Sequence, residues 1–162
     1  MAPKECRGLV DKIKQFNTLV VDYDNTLTTA HGNIAVCAPD IVQGAQQLAV
    51  NTFNEDVTPE ACCTDPKLLA MGFCPNGKCR VRPEHWAHRK DNKIVIKGKT
   101  IGTWDEAGVK TRAMRRMKLH PSRTVFLDDL DSNVRPAHAG GYAVGKVDGR
   151  SGVNSRVKFM ST

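Results

Sequence analysis

Two short apolar runs, each ending in paired acids, constrain this chain more than any other feature. Thr18-Leu19-Val20-Val21 runs into Asp22-Tyr23-Asp24, and Thr124-Val125-Phe126-Leu127 runs into Asp128-Asp129. Runs of this length, rich in β-branched residues, read as buried strands. Between and after them the pattern alternates. Pro39-Asp40 opens a helix with Ile41, Ala45 and Leu48 on one face, and Leu48-Ala49-Val50 leads as a second strand into Asn51-Thr52-Phe53. Residues 59–71 can hold a helix and residues 93–96 a short strand. A helix is expected from Glu106 to about Leu119, capped by Asp105 and stopped before Pro121. A helix over 132–139 and a last strand over 142–147 complete the series. Strands alternating with helices imply βαβ units and a mostly parallel sheet, so the fold class is α/β. In such sheets ligands bind outside the carboxyl ends of the strands, which is where this sequence places its acids.

The 162 residues make one domain with a core over about 18–147. An irregular cysteine-rich insert is expected at about 54–92, and residues 148–162 read as a loose basic tail. With 40% hydrophobic and 25% charged residues, a disordered, collagen-like or coiled-coil chain is excluded. No apolar run approaches a membrane span, and the opening MAPKECRGLVDKIKQ is charged throughout, unlike a secretory signal. The expectation is a cytoplasmic protein with no membrane partner, its six cysteines reduced. Net charge is +7, with eight basic residues against two acidic over 78–99 and six against none over 110–123. That field favours anionic partners. Nucleic acid is the weaker choice, because only Trp86 and Trp104 offer stacking surfaces near those stretches.

Residues two apart on a strand point the same way, so Asp22 and Asp24 can face one site while Tyr23 packs away. Of Asp128 and Asp129, the alternation favours Asp128 as the one that reaches it. Three convergent carboxylates repel unless a cation lies among them, and hard oxygen donors suit Mg²⁺. Lys110 precedes Ala113, Met114 and Met117 by three, four and seven residues, which sets it on or beside an apolar helix face. A lysine aimed at a core needs an anionic partner, and Asp128, Asp129 or a phosphate would supply it.

Asp22-Tyr23-Asp24-Asn25-Thr26-Leu27 resembles the DxDxT motif of the haloacid dehalogenase superfamily, in particular its phosphatase branch. Val125-Phe126-Leu127-Asp128-Asp129, with Asn133-Val134 and Ala139-Gly140-Gly141-Tyr142 after it, is similar to that superfamily's last motif. Thr52 and Lys110 stand where the family keeps its Ser or Thr and its Lys. The resemblance implies a Rossmann-like three-layer α/β/α sandwich with a minimal cap, and a Mg²⁺-dependent phosphatase. Asp22 would be the nucleophile and Asp24 the general acid and base. Thr52, Lys110, Asn25 and Thr26 would hold the phosphate, and Asp22, Asp24, Asp128 and Asp129 the metal. Asn133 departs from the pattern, since an acid often stands there. Pro136 is expected early in the following helix, where its missing N–H matters little. The short gap after Thr26 and the modest insert imply an open site, which within the family tends to go with macromolecular phosphorylated substrates. The alternatives are a catalytically idle binding domain of the same fold and a basic nucleic-acid-binding protein. Within the insert, Cys62, Cys74, Cys79 and His85, near Cys63 and His88, could form a structural Zn²⁺ site, although four residues rather than two separate Cys74 from Cys79.

Overall fold

The computed structural model describes residues 3–160. Eight strands and five helices make a mixed α/β fold: α1 (Lys4–Ile13), β1 (Thr18–Val21), α2 (Ala38–Gly44), β2 (Gln47–Asn51), α3 (Pro66–Met71), β3 (Trp86–Lys90), β4 (Lys93–Ile96), β5 (Lys99–Thr103), α4 (Val109–Arg116), β6 (Thr124–Asp128), α5 (Asp131–Ala139), β7 (Ala143–Lys146) and β8 (Lys158–Met160). One sheet runs in the order β5-β4-β3-β2-β1-β6-β7-β8. Its centre, β3-β2-β1-β6-β7, is parallel, and β4, β5 and β8 join antiparallel at the margins.

The order places the site. From β1 the chain builds outward through β2 and β3, then returns to add β6 and β7 on the other side. The direction of winding reverses between β1 and β6, and the crevice at such a switch point is the usual ligand position. Val21 lies opposite Leu127 in the register, so the two acidic strand ends emerge side by side. Alternate strand residues feed two separate cores. Leu19, Val21, Leu48, Val50, Val125 and Leu127 pack with residues of α1, α2 and α3, while Val20, Ala49, Phe126 and Val144 pack with residues of α4 and α5.

Several sequence expectations need correction. The segment after Asn54 is irregular only to residue 85, because two hairpins follow. Lys90 pairs with Lys93 across Asp91-Asn92, and Ile96 pairs with Lys99 across Lys97-Gly98. Lys97 and Gly98 both have positive φ, 51° and 76°, as a tight hairpin turn that follows strand twist requires. The helix expected from Glu106 starts at Val109 behind Gly108, whose φ is 74°, so Asp105 is not its cap. Leu48 belongs to β2 and not to a helix face. The span 59–71 splits into a 3₁₀ turn, Pro59–Ala61, and α3. Pro136 lies inside α5 and not in its first turn.

The tail is not loose. Val153 is fully buried, its N–H donates to the Thr26 carbonyl (2.8 Å), and its carbonyl accepts from Cys37 N (3.2 Å). Gly152 makes that approach possible. Its φ is +67°, and a Cβ there would lie 2.6 Å from Ala35 Cβ and 2.7 Å from the Thr28 carbonyl. Gly152→Ala should therefore destabilise the protein by about 2–4 kcal/mol, combining left-handed strain with overpacking. Urea unfolding checks this, and a change under about 0.5 kcal/mol, as at an ordinary surface site, contradicts it.

The expectation of reduced thiols, and with it the Zn²⁺ site, is overturned. All six cysteines pair: Cys6 with Cys37, Cys62 with Cys79, and Cys63 with Cys74. Disulfide sulfurs are not thiolate ligands, so Cys62, Cys74 and Cys79 cannot bind zinc, and His85 instead shares a 3.0 Å hydrogen bond with Gln47 Nε2. Cys6–Cys37 ties α1 to the start of α2, and the other two bridges staple the insert. Thiol titration of unreduced, denatured protein should find none, and reduction should release all six. Free thiols before reduction contradict the pairing. Losing Cys6–Cys37, which spans 31 residues, should remove about 3–4 kcal/mol in the chain-entropy account. No helix among the described residues is long and apolar enough to cross a membrane.

Candidate active site at the carboxyl ends of β1 and β6

The ladder between β1 and β6 continues one step past Val21, where Asp22 N donates to the Leu127 carbonyl (3.1 Å). This holds the Asp22 backbone at the sheet edge. The chain then winds around the Tyr23 carbonyl, which accepts from Thr26, Leu27 and Thr28 N at 3.3, 2.9 and 3.2 Å. Asn25 takes the left-handed conformation at the bend (φ 60°), which Asn tolerates better than most residues, and its N–H is held by Thr28 Oγ1 at 3.1 Å. The loop delivers the fully buried Thr26 hydroxyl to Asp22, donating to Oδ2 at 2.9 Å.

Lys110 joins the two acidic strand ends. It sits in the first turn of α4, is 2% exposed, and reaches between them. Its Nζ donates to Asp22 Oδ1 at 2.8 Å and to Asp128 Oδ2 at 2.7 Å. The Phe53 ring lies 4.6 Å from the ammonium and the Phe126 ring 5.9 Å. The Lys110 carbonyl accepts from Asn51 Nδ2 at 2.9 Å, which ties α4 to the end of β2. Asp128 is fully buried and well supplied with donors. Leu130 N reaches Oδ1 at 2.9 Å, and Asn133 Nδ2 reaches the two oxygens at 3.3 and 3.2 Å. Asn133 thus steadies Asp128 with an amide, without adding a further negative charge.

Asp22, Asp128 and Asp129 each offer an oxygen, all within 4.8 Å of one another. Both acids of the second pair contribute, although strand alternation favoured Asp128 alone, because the regular strand ends at Asp128. Burial pushes the Asp22 carboxyl well above the usual carboxylate range; Lys110 pulls it back, and Asp128 and Asp129 push it up again. Asp129 is also raised, first by burial and then by Asp128. On Lys110, burial favours the neutral amine, but the attraction of Asp22 and Asp128 outweighs it and the ammonium is held above its ordinary value. Three carboxylates lie about one fixed cation, which leaves an excess of negative charge when all three are ionised. The residues therefore fit a second, hard cation such as Mg²⁺.

The other expected residues divide. Asp24 is exposed and stands apart from the carboxylate group; its oxygens accept from Asn54 Nδ2 at 3.3 and 3.0 Å. Thr52 follows β2 and is 1% exposed. Its N–H donates to the Ala87 carbonyl and its Oγ1 accepts from Asn54 N (3.0 Å), with no hydrogen bond to the acids. Two other threonines that follow Thr52 in the chain are otherwise placed: Thr58 caps the first 3₁₀ turn and Thr100 lies on edge strand β5. Asn54, Phe53 and Asn51 are contacts that the sequence did not single out. Comparison with family models, curated proteins and solved structures finds no match to this chain.

Proposed function

We propose that this protein is a Mg²⁺-dependent phosphomonoesterase of the haloacid dehalogenase type. The observation that carries the reading is the Lys110 ammonium bridging Asp22 and Asp128, with Asp129 closing a group of three carboxylate oxygens. The separate cores on alternate strand residues support a three-layer α/β/α arrangement of that type. Three disulfides favour an oxidising compartment over the cytoplasm.

In this reading Asp22, Asp128 and Asp129 hold Mg²⁺. Bound there, the cation supplies charge neutralisation between an anionic nucleophile and an anionic ester. Thr26 holds one Asp22 oxygen and Lys110 the other, which fixes the carboxylate for attack. An Asp22 oxygen forms a bond to phosphorus as the P–O ester bond breaks, and Asp24 gives its proton to the departing alkoxide. Asp24 then takes a proton from water as the water oxygen bonds to phosphorus, releasing phosphate and restoring Asp22. Lys110 keeps its charge throughout, as its raised affinity for the proton requires, and steadies the phosphoryl oxygens. The test is hydrolysis of an aryl phosphate with Mg²⁺ and then with excess EDTA. Turnover that EDTA abolishes and Mg²⁺ restores is expected, and EDTA-resistant turnover contradicts the reading.

A further inference from the structure

β2 ends on a buried amide. Asn51 is fully buried and lies opposite Ala87 of β3. Strand alternation sets it on the face that Ala49 turns towards α4. Such a place usually takes an apolar side chain. Asn51 instead buries two polar groups and satisfies one. Its Nδ2 donates to the Lys110 carbonyl at 2.9 Å, while its Oδ1 is shut off from solvent with no hydrogen-bond partner among the described residues. A buried acceptor left unpaired costs more than a typical hydrogen bond returns. Nor does the backbone need the bond that Asn51 makes. The Lys110 carbonyl lies inside α4, where Met114 N, four residues on, is its helix partner. Stability alone gives no reason for an amide at position 51.

Position gives one. α4 starts behind Gly108 with no side-chain cap, so its first turn has no such anchor of its own. That turn carries Lys110, whose flexible stem must bring one ammonium to 2.8 Å from Asp22 Oδ1 and 2.7 Å from Asp128 Oδ2. The chain at the end of β2 meets Lys110 twice, with Asn51 at its carbonyl and the Phe53 ring 4.6 Å from its ammonium. β2 pairs with β1, so the Asn51 bond ties the lysine backbone to the sheet that holds Asp22. Thr111 offers a contrast. Its Oγ1 is also buried without a partner among the described residues, one residue on in the same turn, but it holds nothing in place.

We propose that Asn51 is a positioning residue, kept at a cost in stability because it fixes the first turn of α4 against the end of β2 and so sets Lys110 between Asp22 and Asp128. The inference rests on the phosphatase reading, in which Lys110 steadies the phosphoryl oxygens.

The test compares wild type, Asn51→Val and Thr111→Val. Asn51→Val removes the amide and leaves a side chain suited to a buried strand. Thr111→Val removes an unpaired oxygen from the same turn without touching the Lys110 carbonyl, so it controls for general loosening of α4. Three readouts are taken: kcat and KM for an aryl phosphate with Mg²⁺, the urea midpoint, and amide hydrogen exchange along α4. In Asn51→Val, kcat should fall about tenfold or more, because small misplacements of a positioned group are costly, while KM stays within about threefold. Its urea midpoint should equal or exceed that of wild type. Exchange in the first turn of α4 should quicken about fivefold, as the loss of one hydrogen bond predicts. Thr111→Val should keep wild-type kcat and exchange.

Unchanged kcat and exchange in Asn51→Val overturn the inference. So does a lowered urea midpoint, which would make the amide an ordinary stabilising contact, and so does an equal loss of kcat in Thr111→Val. A wild-type protein that hydrolyses no ester overturns the phosphatase reading instead. Exchange then decides the anchoring by itself: quickening in Asn51→Val alone keeps it, and equal exchange in all three proteins overturns it as well.

Discussion

Replacing Lys110 with Met should remove about 3–5 kcal/mol of stability at neutral pH in EDTA, because it leaves buried carboxylates without their cation. Asp22 and Asp128, 5% and 0% exposed, each lose a charged hydrogen bond below 3 Å. The pH dependence carries the diagnosis. Asp22 already holds its proton more tightly folded than unfolded. Between the ordinary carboxylate pKa and its raised folded value, the folded state binds more protons, so stability falls as pH rises. Lys110→Met removes the one influence that lowers Asp22 most, so that window widens upward and the variant should regain stability on acidification. At the alkaline end the sign reverses. Lys110 is raised when folded, so its contribution is complete below its unfolded pKa and is lost as pH rises through the folded one. That alkaline loss should vanish in the variant. Urea unfolding across pH reads both effects, and a variant as stable as wild type at pH 7 with an unchanged pH profile contradicts the central role of this contact.

Asp22→Asn should reduce phosphate-ester turnover by roughly 10⁴-fold, since an amide cannot form the covalent bond to phosphorus. The fold should survive. The amide presents one oxygen for Lys110 or Thr26, and the change removes one of three crowded negative charges while Asp128 remains to pair the ammonium. Stability at pH 7 should stay within about 1–2 kcal/mol of wild type, because the burial that raises Asp22 no longer acts on a charge. Loss of activity with the fold retained separates chemistry from scaffolding. An Asp22→Asn variant that keeps more than about a tenth of wild-type kcat contradicts Asp22 as nucleophile.

What the sequence disclosed depended on how local the signal was. Thr18–Val21 and Thr124–Asp128 form strands because continuous apolar runs have nowhere else to go, and their acids follow at fixed positions. Lys110 was legible because helical spacing set it against Ala113, Met114 and Met117, and a buried lysine requires an anion. α1 left a signal of the same kind, with Cys6, Leu9, Val10 and Ile13 at helical spacing, but the interleaved charges obscured it. β3 was missed because Ala87-His88-Arg89-Lys90 is polar; it becomes a strand by pairing with β2 on one side and β4 on the other. The disulfides were illegible for a different reason. Cys6–Cys37 joins residues 31 apart, and only the packed α1 and α2 bring them together. Asp24 parted from Asp22 because its strand had already ended at Val21, and past that point alternation no longer aims side chains.

The most direct measurement is chemical trapping of the intermediate. The protein is mixed with an aryl phosphate and Mg²⁺, quenched at steady state with borohydride, and mapped by peptide mass. Borohydride reduces an acyl phosphate to a primary alcohol and leaves free carboxylates unchanged. The expected result is reduction at Asp22 alone, dependent on both ester and Mg²⁺. Steady hydrolysis with Asp22 unreduced, or reduction at another carboxylate, would contradict Asp22 as the group that attacks phosphorus.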